Sequence, residues 1–93
     1  MKVRWTASAR RDRLDVIDYI AAESPRAAAR MDQLFADAAE KLARFPHAGR
    51  AGKISGTRET FPHESDRLVY EIENDIVWIL TLVHTSRQWP SRD

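Results

Sequence analysis

Acid–base chemistry needs a proton donor, a proton acceptor and a stabiliser of developing charge within reach of one another. In this 93-residue chain the side chains able to fill those roles are His47, His63, His84, Glu59, Arg58, Arg67 and Arg87. Their spacing forms no diagnostic pattern. The histidines are widely separated and lack nearby carboxylate partners, and a chain without cysteine has neither a thiolate to complete a zinc site nor a thiol nucleophile. No metal and no cofactor is therefore expected, and the histidines read as surface or strand-end residues.

Gly49-Arg50-Ala51-Gly52-Lys53-Ile54-Ser55 has the composition of a phosphate-gripping loop but not its spacing. The glycines are too close, isoleucine follows the lysine, and no helix follows to offer its N-terminal dipole. The stretch reads instead as an irregular crossing from a helix into a sheet. The C-terminal run His84-Thr85-Ser86-Arg87-Gln88-Trp89-Pro90 carries more chemistry. Arg and Trp are the side chains most enriched at binding hot spots, and Pro90 ends any strand. Arg87 and Trp89 are thus candidate target-binding residues; the alternative is that Trp89 folds back as a lid on the core.

Placing these groups falls to elements that the hydrophobic pattern delimits. Lys2-Val3-Arg4-Trp5-Thr6 alternates with Val3 and Trp5 on one face, the period of a half-buried strand. Thr6 or Ser8 can cap a helix over roughly 7–22, where Leu14, Ile17, Ile20 and Ala21 recur at helical spacing and Val16 and Tyr19 widen the stripe. Ser24-Pro25 opens a second helix whose apolar face runs through Ala28, Met31, Leu34, Phe35, Ala38 and Leu42 to Phe45, before Pro46. So short a link makes the two helices antiparallel neighbours. Ile54 to Phe61 reads as an edge strand. Arg67 to Glu73 alternates, Asn74-Asp75 supplies a two-residue hairpin turn, and Ile76 to Val83 is apolar on both faces, as befits a strand inside the sheet.

This order predicts an α+β fold: an N-terminal strand, then an antiparallel two-helix hairpin packed on a mainly antiparallel three- or four-stranded sheet, as one domain over residues 1–93. The apolar stripes of the helices are wider than a hairpin on one sheet face needs, which leaves surface for a partner. The charge balance narrows the choice of partner. Fifteen basic and 14 acidic residues give a net charge of +1, too even for a protein that lives by holding phosphate backbones, so sequence-specific DNA binding by this chain alone is not expected. Residues 1–50 hold ten of the basic and seven of the acidic groups, so a locally basic surface remains open. The N-terminus lacks the apolar run of a signal peptide, and no segment reaches membrane-helix length, so the chain reads as cytoplasmic.

Several short patterns, spread over nearly the whole chain, together resemble the ParE/RelE superfamily of type II toxin–antitoxin systems. In the helical half they are Val3-Arg4-Trp5-Thr6 with Ala9, Ile17-Asp18-Tyr19-Ile20, and Ala27-Ala28 at the start of the second helix. In the sheet half they are Phe45-Pro46 with Gly49-Arg50 and Gly52, Gly56-Thr57-Arg58-Glu59, Val69-Tyr70, and His84 with Arg87-Gln88-Trp89-Pro90. The Gly-Arg-x-Gly, Gly-Thr-Arg-Glu and Arg-Gln-Trp-Pro patterns resemble the ParE branch. That resemblance implies a toxin that inhibits DNA gyrase and is neutralised by a ParD-like antitoxin. An amphipathic antitoxin helix would lie against the helical hairpin, with Tyr19, Arg58, Arg67 and Arg87 as antitoxin-binding residues.

One departure points to the RelE branch, whose members cleave mRNA in the ribosome. Asp66-Arg67 stands where many ParE-like chains have Pro-Tyr, which gives the Arg-Leu-Val-Tyr run familiar from RelE-like nucleases. The alternatives are therefore a RelE-like ribosome-dependent mRNA endoribonuclease, with Arg67, His84 and Arg87 as its catalytic groups, or an inactive toxin-fold binding module. Against cleavage, Lys53 is the last lysine, and no tyrosine follows Tyr70 to match the C-terminal one common in that branch.

Overall fold

The computed structural model describes residues 1–84. Strand β1 (Lys2–Trp5) leads into helices α1 (Ala7–Ala21) and α2 (Pro25–Arg44), followed by strands β2 (Arg50–Ala51), β3 (Arg58–His63), β4 (Asp66–Glu73) and β5 (Ile76–His84). The five strands form one sheet in the order β1-β5-β4-β3-β2, antiparallel except for the parallel pair β1 and β5. The α+β class expected from the sequence is the one observed. The sheet is one strand wider because two residues of the expected loop, Arg50 and Ala51, pair with Glu59 and Arg58.

Local chemistry explains the boundaries. The Thr6 hydroxyl accepts the Ala9 N–H at 3.0 Å and donates to the Leu80 carbonyl at 3.1 Å, so one side chain caps α1 and ties its start to β5. Ser24 caps α2 by accepting the Ala27 N–H, with Pro25 in the first turn. That helix stops at Arg44, ahead of Pro46. Asn74 and Asp75 both take left-handed backbone angles, φ 53° and 62°, the geometry of the tight turn whose twist matches that of the flanking strands. Pro62 cannot donate to a ladder, and the β3–β4 register shifts between Thr60 and His63, where it sits.

The helices share the core unequally. Helix α2 buries Phe35, Ala39 and Leu42 against Leu68, Tyr70, Val77, Ile79 and Leu82 of the sheet and buries Ala28 as well, whereas α1 buries only Ala9 fully. The outward half of the α1 stripe is left in solvent, with Leu14 61% and Tyr19 83% exposed.

Candidate functional site

Along β4, Asp66, Leu68 and Tyr70 point to the helices while Arg67 and Val69 point away, since successive strand residues alternate faces. A bulge in β5 at Leu80 keeps Ile79, Leu82 and His84 on the helix side, opposite Tyr70, Leu68 and Asp66. Three polar arrangements follow from that geometry.

The first anchors the loop between α2 and the sheet. Tyr70, fully buried, donates its hydroxyl proton to the Pro46 carbonyl at 2.8 Å and accepts the Gly49 N–H at 2.9 Å. Burial pushes the Tyr70 phenol above its usual pKa, against the opposing pull of the Gly49 N–H and the Arg58 charge. Arg58 Nη1 donates to the carbonyls of Gly49 at 2.9 Å and His47 at 3.3 Å, so its guanidinium is occupied in holding the loop.

The second lies on the far face of the sheet. Arg67 and Arg50 stack on the Phe61 ring, 5.4 Å and 4.8 Å from its centroid. Arg67 Nε lies 3.4 Å from Oε1 of Glu59, a carboxylate 3% exposed whose other oxygen accepts the Lys53 N–H.

The third is a cavity of about 490 Å³ between α1, α2 and the end of the sheet. Its floor is apolar, formed by Val16, Ile20, Met31 and Leu82, and Tyr19 stands at its wall. Asp12, Asp15, His63, Ser65, Asp66 and His84 supply its polar lining. Strand β1 ends opposite Ile79 and leaves the last turn of the β5 edge without a neighbour strand; Asp12 serves there instead, accepting from the Thr81 hydroxyl at 2.6 Å and the Leu82 N–H at 3.2 Å. Asp66, 1% exposed, has Oδ1 3.3 Å from His84 Nδ1 and Oδ2 3.9 Å from His63 Nδ1. Because His63 Nδ1 accepts the Ser65 N–H, its neutral form carries the proton on Nε2, and the longer contact is not a hydrogen bond.

The histidines read from the sequence as lacking carboxylate partners thus include two that share a buried one. Chain distance hid this: the β4–β5 register places Asp66 opposite His84. Among the described residues no group of three or more His, Cys, Asp or Glu side chains is placed to hold a metal ion. The structure does not bring Arg67 and His84 together, since one is paired with Glu59 on the far face and the other with Asp66 on the helix face. Tyr19 sits beside the cavity, while Arg58 and Arg67 belong to the other two arrangements. Arg87 and Trp89 lie outside the described residues. Asp12, Asp15 and Asp66 escaped the sequence reading, although Asp12, Asp15, Val16 and Tyr19 follow the three- and four-residue spacing of one helix face.

Comparison with known proteins gives this geometry a context. Residues 3–89 match the model of a family described as the ParE toxin of the type II toxin–antitoxin system parDE. A Sinorhizobium fredii (strain NBRC 101917 / NGR234) protein named "Putative toxin Y4kP" is 41% identical over 91 residues, which span 96% of this chain and 93% of that protein. Among solved structures, one titled chromosomal ParDE TA system from P. aeruginosa superposes with a TM-score of 0.79 at 20% identity, covering 90% of this chain and 95% of that one. A YoeB/ParE toxin from Agrobacterium tumefaciens superposes with a TM-score of 0.62 at 21% identity, over 90% of this chain and 98% of that one. At such identities the superpositions establish a common fold.

Proposed function

The chain belongs to the ParE toxin family of type II toxin–antitoxin systems, and from that premise we propose that it inhibits DNA gyrase by binding and is neutralised by a ParD-like antitoxin. The observation that carries this reading is the separation of Arg67 from His84. Ribonuclease chemistry needs a charge stabiliser and a proton-transfer group converging on one phosphate. Here Arg67 is stacked on Phe61 beside the Glu59 carboxylate, and His84 faces Asp66 on the other side of the sheet. A poison that acts by occupying a protein surface has no need of such convergence.

The half-exposed stripe of α1 and the cavity beside it support a seat for the antitoxin. Tyr19 offers apolar surface that the chain's own core does not use, next to an apolar floor of a size that takes several side chains, and Leu14 adds exposed apolar surface elsewhere on α1. Gyrase and antitoxin both reside in the cytoplasm, where this reading places the protein; no helix among the described residues is long and apolar enough to cross a membrane.

The test pairs two assays on the purified chain. Added to gyrase and plasmid it inhibits supercoiling or accumulates cleaved DNA, and added to translating ribosomes it leaves mRNA ends unchanged. Ribosome-dependent cuts that disappear in Arg67→Ala, with gyrase unaffected, overturn the proposal in favour of mRNA cleavage.

A further inference from the structure

Among the described residues, the side chains of fixed charge that line the cavity beside α1 are all acidic. Asp12, Asp15 and Asp66 line it, and no Lys or Arg does so among the described residues, in a chain whose first fifty residues carry a surplus of positive charge. Of the arginines of α1, Arg10 donates to the Trp5 carbonyl, Arg13 pairs with Asp32 at 2.7 Å while stacking on Trp5, and Arg11 is not part of the cavity lining. Asp15 has no hydrogen bond or ion pair among the described residues. Asp66 adds a nearly buried carboxylate to that lining. Its Oδ1 lies 3.3 Å from His84 Nδ1 and its Oδ2 3.9 Å from His63 Nδ1. A carboxylate offers about four acceptor positions, so this one has capacity left for a donor that enters the cavity.

We propose that this cavity receives a basic side chain of a partner segment, its guanidinium or ammonium lying between Asp15 and Asp66 and its apolar neighbours filling the floor of Val16, Ile20, Met31 and Leu82. The inference rests on reading the cavity as the antitoxin's seat and adds the chemistry of what enters it: an amphipathic segment that is basic, rather than acidic, where it meets α1. Apolar contact gives the affinity, and the carboxylates select which segment and which register, because a glutamate brought to the same place meets like charge from Asp15 and the buried Asp66.

The experiment uses three synthetic amphipathic peptides with identical leucine positions, whose polar positions hold Arg, Gln or Glu, titrated into the isotopically labelled full chain. The Arg peptide binds about tenfold or more tighter than the Gln peptide, the Glu peptide binds weakest, and amide shifts centre on Asp15, Tyr19 and His84. Asp15→Lys removes or reverses the ranking, and Asp15→Asn reduces it; since Asp15 is exposed and its side chain is unpaired among the described residues, both variants keep the parent's thermal unfolding curve, which is checked first. Equal affinities for the three peptides, or an Arg preference that survives Asp15→Lys, overturn the inference. Failure of gyrase inhibition leaves the peptide ranking untouched, so the two proposals fail separately.

Discussion

Tyr70→Phe keeps the buried ring and deletes one oxygen, and the structure fixes what that oxygen does. It accepts the Gly49 N–H at 2.9 Å and donates to the Pro46 carbonyl at 2.8 Å. The Gly49 N–H is buried and has nowhere else to turn, so its loss falls within the roughly 1–3 kcal/mol range for an orphaned buried group; the Pro46 carbonyl is nearer solvent and falls at the low end of the same range. The sum is about 2–4 kcal/mol. For a chain of this length that lowers the melting temperature by on the order of 10–30 °C. Urea denaturation at neutral pH measures the difference directly, and a repeat at alkaline pH adds a signature that a packing defect lacks. Burial raises the Tyr70 pKa in the folded state, so the stability tied to the neutral phenol is fully present below 10.0 and is lost as pH climbs through the raised value. Phenylalanine has no proton to lose. The gap between parent and variant therefore narrows above pH 10.0. A variant within about 0.5 kcal/mol of its parent at neutral pH, or a gap that stays constant into the alkaline range, refutes the reasoning.

Further substitutions probe the loop, the partner face and the sheet edge. Gly49→Ala would place a β-carbon 2.5 Å from Tyr70 Oη and 2.9 Å from the Glu59 carbonyl; it costs about 3 kcal/mol in urea unfolding, as overpacking against a rigid ring and backbone does. Gly56→Ala meets nothing within 4 Å but must hold φ +85°, and costs only about 1 kcal/mol in the same assay. Tyr19→Ala, at a position 83% exposed, leaves the melting temperature nearly unchanged and weakens antitoxin binding by roughly thirtyfold, read by calorimetry. Asp12→Ala leaves the Leu82 N–H and the Thr81 hydroxyl unpartnered, which costs about 1–2 kcal/mol and speeds hydrogen exchange at the Leu82 amide more than elsewhere in β5.

The fold was legible wherever one residue type settles the local backbone. Ser24-Pro25 announces a helix start and Asn74-Asp75 a tight hairpin, and both stand where the pattern puts them. The apolar run from Ile76 was correctly read as an interior strand: β5 pairs with β1 along one edge and β4 along the other. The pairing of β1 with β5 was not legible, since nothing local in Lys2-Val3-Arg4-Trp5 names a partner at the other end of the sheet. The β3 boundary slipped for a similar reason: Ile54 and Ser55 read as strand, but Gly52 N–H binds the Thr57 carbonyl and Thr57 turns back on Ile54, which closes a loop before the strand begins at Arg58. At the candidate site, Tyr19, one of the binding residues expected from the sequence, stands at the cavity wall, while the acidic lining was passed over. A single aspartate on an exposed helix normally signals solvent, and only the fold shows that Asp12, Asp15 and Asp66 converge from two elements on one cavity.

The parallel pairing of β1 has a consequence for the order of events during synthesis. Lys2–Trp5 finds its sheet neighbour only at Ile76–Ile79, and the Thr6 cap needs the Leu80 carbonyl to complete its bonds. A ribosome adding about 5–20 residues per second delivers that neighbour roughly 4–15 seconds after the first strand. Until then Ala9 and Phe35 have no Val77, Ile79 or Leu82 to close over them, and β1 waits with an unpaired edge. Contacts between distant parts of a chain also form slowly. A molecule of this topology completes its fold only once β5 has been made, and every copy that stops short of it lacks the strand on which the first strand, the helix cap and the cavity wall all depend.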